Sequence, residues 1–368
     1  MDKKIMTSKL RVLLNAEPFG FGPAAAIAMI ADGLKSHGIE VSYVGEKHTL
    51  DLQQQVGYKT IQDISVMTEQ AKLEFLKTAQ SEYDLFVTAM DFKMAGLAQK
   101  AGFKTVIYDA LAWYWPSIDP AIEKADLYIA QNFFGVRERA QKIHNAVVVP
   151  PIVAVPGGNR KRTEVVINLG GLQNPFWDFD DAVLYACTFI DAIKRSLPAD
   201  VKPIITTSTA VADVLGESIA RAYHHTEMAE LLAVTKYAFM TPGLGNIYDA
   251  AAYNIPTLWL PAANDTQGRQ AELLTQNGYA DARLEWADFT TPVDYGASQL
   301  EVLKAITINL KSLQPHKIER FLSSKITTLI SSKQPKVGGI IRKFGTGGSE
   351  QIVSAIIKTL ERPNHASN

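Results

Sequence analysis

Three turns in this chain set glycine just ahead of a helical pattern, a combination that lets a backbone close around an anion. The first, Thr241-Pro242-Gly243-Leu244-Gly245-Asn246, stands between the apolar run YAFMT and a helical stretch beginning near Ile247. Its glycines allow close approach, and the free amides at the helix start can receive a diphosphate. The second runs from Asn168 to Trp177 behind the strand-like EVVIN. Gly170 and Gly171 are its site candidates, with Gln173 beside them, whereas Asn174-Pro175 and Trp177 read as loop punctuation and packing. The third is Glu17-Pro18-Phe19-Gly20-Phe21-Gly22-Pro23. Its GFGPAA has Ala where a dinucleotide fingerprint has its third Gly, and no acid stands alone at a strand end roughly 20 residues on. Glu46 is the nearest and is poorly placed, so a nicotinamide site is the lesser reading.

Other residues capable of chemistry divide between a site and a structural use. Asp178-Phe179-Asp180 has the form of a metal-binding Asp-x-Asp, yet it opens a helical pattern instead of closing a strand. Capping and complementing the helix dipole are therefore its expected tasks. Nothing around His224 and His225 has metal-ligand spacing, so no metal site is expected. The single cysteine, Cys187, excludes an intrachain disulfide or a cysteine cluster and reads as a buried thiol. Asp109 precedes Trp113-Tyr114-Trp115, an aromatic cluster suited either to stacking a flat ring or a sugar or to core packing.

The elements that must position these residues alternate regularly. RVLLNA, EVSYVG, YDLFVTAMD, KTVIYDAL, DLYIAQ and AVVVPPIV read as strands separated by helical patterns, the signature of βαβ units. Residues 46–80 interrupt the rhythm, apart from the helical TEQAKLEFLKTAQ. Proline, glycine and charge cluster at 155–162 as a linker, after which strand and helix alternate again. The expected fold is α/β, with two doubly wound Rossmann-like parallel-sheet domains at 1–157 and 163–335 and a helical tail at 336–368. With 368 residues, 47% hydrophobic and 20% charged, the chain suits two globular cores. Lys plus Arg number 37 against 38 Asp plus Glu, so no broad basic field exists for nucleic acid. The opening MDKKIMTSKLRVLL is too short in apolar residues for a signal peptide or a membrane span, and a cytoplasmic location is expected.

The stretch from Thr226 to Gly278 resembles the donor-binding half of nucleotide-sugar glycosyltransferases, the group that includes MurG and the UDP-glycosyltransferases. The shared order is a helix, a short strand, the glycine turn, a helix bearing an acid, the strand PTLWLP, and a polar turn with Gln that opens another helix. This resemblance implies a GT-B architecture, in which the two domains face a cleft. It implies that Gly243, Leu244, Gly245 and Asn246 cradle the diphosphate, with Gly170 and Gly171 near the phosphates. Asp249 falls where the families place an acid for ribose hydroxyls, often Glu. Asn264, Asp265 and Gln267 would bond the donor sugar, and His224 and His225 would border the nucleotide base. Arg269 is the cation available to the diphosphate or to a sugar carboxylate; a solvated helix face is its structural alternative. The nucleotide-sugar is a co-substrate, and neither cofactor nor metal is implied.

In such enzymes the first loop lines the acceptor pocket, here Phe19, Gly20, Phe21 and Gly22, and often holds a catalytic His. No His occurs before His37, so the base that takes the acceptor proton must be sought among Glu17, Asp91 and Asp109 at strand ends. Asp91 is equally placed to cap the helix FKMAGLAQ. The loops FGFGPAA and NLGGLQNP are similar to those of cytosylglucuronate synthases, which join UDP-glucuronate to cytosine, in keeping with an aromatic acceptor held by Trp113, Tyr114 and Trp115. The function expected is therefore metal-independent sugar transfer from a UDP- or other NDP-sugar to a small-molecule acceptor. A nucleotide-sugar hydrolase or 2-epimerase, or a non-catalytic binding partner, are the alternatives.

Overall fold

The computed structural model describes residues 9–154, 157–158, 160–172, 174, 176–331 and 334–362. Contacts gather the chain into two units. The first comprises Met1–Pro18, Pro23–Ile152 and Gly347–Asn368; the second comprises Phe19–Gly22 and Val153–Thr346.

Seven strands build the first unit: β1 (Arg11–Ala16), β2 (Glu40–Gly45), β3 (Ile61–Asp63), β4 (Leu85–Ala89), β5 (Thr105–Asp109), β6 (Leu127–Gln131) and β7 (Ala146–Val149). All pair in parallel, in the order β3-β2-β1-β4-β5-β6-β7. The central strands are buried on both faces, which is why they read as unbroken apolar runs. Alternate side chains serve two separate cores. Val12, Leu14 and Val87 meet helices Gly22–Ser36 and Gly348–Glu361 on one face. Leu13 and Phe86 meet helices Glu69–Ala79 and Phe92–Lys100 on the other. Small residues set the closest approaches: a Cβ on Gly33 would lie 2.5 Å from Val353 Cγ2, and one on Gly348 would lie 2.1 Å from the Pro150 carbonyl oxygen.

The second unit holds β8 (Glu164–Asn168), β9 (Ile204–Thr206), β10 (Thr235–Met240), β11 (Thr257–Trp259) and β12 (Ala282–Arg283). They too are parallel, in the order β12-β11-β10-β8-β9. Helices Phe179–Ser196, Gln299–Ser312 and Pro315–Ser331 supply Phe189, Ile306 and Leu322 to its core. The expected pair of parallel α/β sheets is what the chain forms. Among the described residues, no helix is long and apolar enough to cross a membrane.

Several elements depart from the sequence reading. The three-residue β3 and two-residue β12 carry no period long enough to detect. Helix Thr209–Leu215 ends where Gly216 turns the backbone to φ 87°. The tail from residue 336 divides between the units. Helix Gly339–Phe344 packs on helix Leu244–Ala252 of the second, and helix Gly348–Glu361 packs on β6 and β7 of the first.

Candidate active site

In a parallel sheet, a crevice opens at the carboxyl ends of the two neighbouring strands where the winding reverses direction. Each unit has one such point, and some of the candidate residues lie at each while others lie elsewhere.

In the second unit the reversal lies between β8 and β10, where Asn168 registers with Met240. The glycine turns after these strands are stitched together there. Thr241 Oγ1 donates to the Gly170 carbonyl at 2.6 Å, and Asn246 Nδ2 donates to the Thr241 carbonyl at 2.9 Å. A third turn, after β11, joins through Gln267. Its Oε1 accepts from Ala263 N–H at 2.9 Å, and its Nε2 reaches the Gly170 carbonyl at 3.5 Å. Gly171 sits at φ 76°, and a Cβ there would fall 2.9 Å from Gln267 Nε2. The left-handed backbone conformation is what requires glycine at this position, since the Gln267 side-chain end can move aside.

Helix Leu244–Ala252 starts at this junction with Gly243 as its N-cap. The amides of Leu244, Gly245 and Asn246 occupy its first turn, where helical geometry offers no acceptor and the dipole favours negative charge. Asp249, half-buried, stands further along the same helix. Burial alone lifts its pKa to about 7, with no compensating partner among the described residues. Asn264 caps helix Asp265–Gln276, its Oδ1 accepting from Gln267 N–H at 2.9 Å and Thr266 Oγ1 at 2.8 Å. Asp265 is fully buried at the helix start. Arg269 is half-buried and gives its Nε proton to the Tyr295 carbonyl at 2.8 Å.

Sequence reasoning missed Gln270 in this helix. It is 2% exposed and its Oε1 has no hydrogen-bond donor among the described residues, an unusual condition for a buried amide. Its only signal was its place one residue after Arg269. His224 is the N-cap of helix His225–Ala233, with its N–H donating to Glu227 Oε2 at 3.1 Å and its ring 4.0 Å from that of His225. Asp178 caps helix Phe179–Ser196 by accepting from Asp180 N–H at 3.1 Å. Gln173 lies outside the described residues.

In the first unit the reversal lies between β1 and β4, where Ala16 registers with Ala89. Glu17 follows β1 and donates its N–H to the Ala89 carbonyl at 2.9 Å. Met90 takes φ 63°, rare for a residue with a side chain, and Asp91 then caps helix Phe92–Lys100 by accepting from Met94 N–H at 2.9 Å. The Glu17 carboxyl lies near enough to Asp91 to feel its charge. Burial raises the pKa of both above the usual carboxylate range, and the like charges of Asp91 on Glu17 and of Glu46 on both push the same way. Phe19, Gly20 and Phe21 form the turn after Pro18, with Gly20 at φ 62°, and Gly22 opens helix Gly22–Ser36.

Asp109, at the end of β5, is 0% exposed and has three donors around it. Tyr128 Oη and Trp115 Nε1 donate to its Oδ2 at 2.7 and 3.0 Å, and Leu111 N–H donates to its Oδ1 at 2.6 Å. Arg139 holds the same loop by donating to the carbonyls of Trp115 and Ser117. Burial pushes Asp109 up to about 6 against these donors. A carboxylate so engaged is an anchor for the aromatic loop. The loop's rings continue into neighbouring turns: Trp113 lies 5.4 Å from Phe133, Tyr114 lies 5.1 Å from Trp115, and Trp115 lies 5.5 Å from Phe92. Trp113 Nε1 is buried without an acceptor among the described residues.

No family model matches this chain, and no curated protein matches it. Solved structures do. MurG from Acinetobacter baumannii is 12% identical over 95% of this chain and 99% of its own, with a TM-score of 0.55. The spinosyn rhamnosyltransferase SpnG is 15% identical over 96% and 99%, with a TM-score of 0.57. LpCGTa, solved in complex with UDP, is 11% identical over 97% and 100%, with a TM-score of 0.55. The chain therefore has the fold of the GT-B glycosyltransferases.

Proposed function

We propose that the protein transfers a sugar from a UDP- or other NDP-sugar to a small-molecule acceptor. The observation that carries this reading is the convergence of three strand-end turns at the winding reversal of the second unit. There the first-turn amides of helix Leu244–Ala252 and the uncompensated acid Asp249 lie on one element. Amides at such a helix start suit a diphosphate, and a carboxylate suits ribose hydroxyls. The structural likeness to LpCGTa, itself solved with UDP, supports the assignment.

The acceptor belongs in this reading to the first unit, whose aromatic loop suits a flat, partly apolar molecule. The reaction is metal-independent: the helix amides and Arg269 meet the diphosphate charge. Thermal unfolding with and without UDP tests the donor site. UDP at 100 times its dissociation constant stabilises a binding protein by about 2.7 kcal/mol, so the melting temperature rises. The shift vanishes or falls in Asp249→Asn and persists in EDTA. No shift with any nucleoside diphosphate refutes the proposal. Loss of UDP-sugar without any added acceptor would instead identify a hydrolase or epimerase.

A further inference from the structure

We propose that Glu17 and Asp91 hold one proton between them and act as a two-carboxyl relay, in which Glu17 takes the proton of the acceptor hydroxyl. This rests on the transferase reading of the previous section and assigns its base.

The argument starts with position. Adjacent strands deliver the two residues to the same level at the reversal between β1 and β4, and the Glu17 N–H bond to Ala89 O fixes their spacing. Asp91 is 5% exposed and tied to the helix cap, whereas Glu17 is half-buried and keeps access to solvent. Two neighbouring, largely buried carboxyls at adjacent strand ends cannot both ionise cheaply, so the pair retains a proton. The charge settles on Asp91, which accepts the Met94 amide, and the proton settles on Glu17.

The surrounding groups support a single negative charge on the pair. Glu46, after β2, adds like charge and is itself held by Lys72 at 3.0 Å from helix Glu69–Ala79. Lys93 in helix Phe92–Lys100 opposes it from an exposed position. Tyr43, 0% exposed, lies within reach of the charges of Asp91 and Glu46.

The step balances. The acceptor oxygen forms its bond to the anomeric carbon while its proton passes to Glu17. The proton already on Glu17 moves to Asp91, taking the pair from one negative charge to none. The anomeric carbon–phosphate oxygen bond breaks, and its electron pair leaves with the nucleoside diphosphate.

Carbon-13 NMR titration of the carboxyls tests the pair without turnover, in the wild type, Glu17→Gln and Asp91→Asn. The Asn oxygen keeps the helix cap. Linked titrations are expected, with the remaining acid falling by one pH unit or more in each variant. Independent titration in the ordinary carboxylate range overturns the pair. Turnover tests the relay. Glu17→Gln loses 10²–10⁴-fold in kcat with the donor KM unchanged, and Asp91→Asn moves the acid limb of kcat to lower pH. Full kcat in Glu17→Gln, in a protein that still binds UDP, overturns the catalytic role. Linked titrations in a protein that binds no nucleotide would sink the transferase reading and leave the proton-sharing pair standing.

Discussion

Asp109 shows how a single buried acid can be expensive to ionise and still hold a loop in place. Its native pKa of about 6 lies above the unfolded value near 4, so the stability it adds is present below about pH 4. That contribution is lost as pH rises through about 6, some 3 kcal/mol in all. Asp109→Asn removes the titration but leaves only one acceptor oxygen for Tyr128, Trp115 and Leu111. The variant is expected to be less stable by about 1–3 kcal/mol at neutral pH, the cost of unsatisfied buried donors. Its deficit should be larger at pH 4, where the wild-type acid is neutral. Denaturant melts of both proteins at pH 4 and pH 7 check this, and a deficit growing with pH would contradict it. At this scale the sequence showed which residue types stand at strand ends, but not which are already engaged. Asp109 and Asp91 look alike in the chain; only the packing of Tyr128 and Trp115 around the former tells them apart. Gln270 passed unseen for the same reason, since burial without a partner leaves no mark on composition.

Elements were legible where their period was long. Helix Phe179–Ser196 and the apolar strands β1, β4, β5 and β6 repeat their pattern over enough residues to declare themselves. β3 and β12 are fixed by their neighbours in the sheet, and nothing local announces them. Close packing of elements was equally hidden. Gly33 reads as a tolerated glycine in an Ala-rich helix, yet its missing Cβ makes room for Val353 of helix Gly348–Glu361. Gly33→Ala is expected to cost about 1–3 kcal/mol through overpacking, despite its better helix propensity. Val353→Ala in the same background should recover part of that loss, giving a coupling energy of at least 0.5 kcal/mol in a double-mutant cycle. Strict additivity would show that the two helices yield at this contact.

For the molecule as a whole, the repeated strand–helix rhythm foretold two parallel sheets, because each unit is a chain of βαβ crossovers with one permitted handedness. What it did not foretell is that helix Gly348–Glu361 completes the first unit's core with Ile352, Val353 and Ile356. Ending the chain at Thr346 is therefore expected to expose apolar residues of that unit, each worth about 1.5–3 kcal/mol. Limited proteolysis of the shortened protein should cut first within residues 23–152 and spare 160–331 longer. Equal resistance of both segments would show that the helix is dispensable.

That returning helix also sets a timetable for synthesis. A nascent chain ordinarily folds its leading domain first. Here β1 to β7 emerge early but lack helix Gly348–Glu361 on one sheet face until residue 361 has been made, whereas Val153–Thr346 has its own core complete before then. The order of maturation is thereby reversed: the unit translated first is the last to close, and it spends the interval as a sheet with one apolar face incompletely covered.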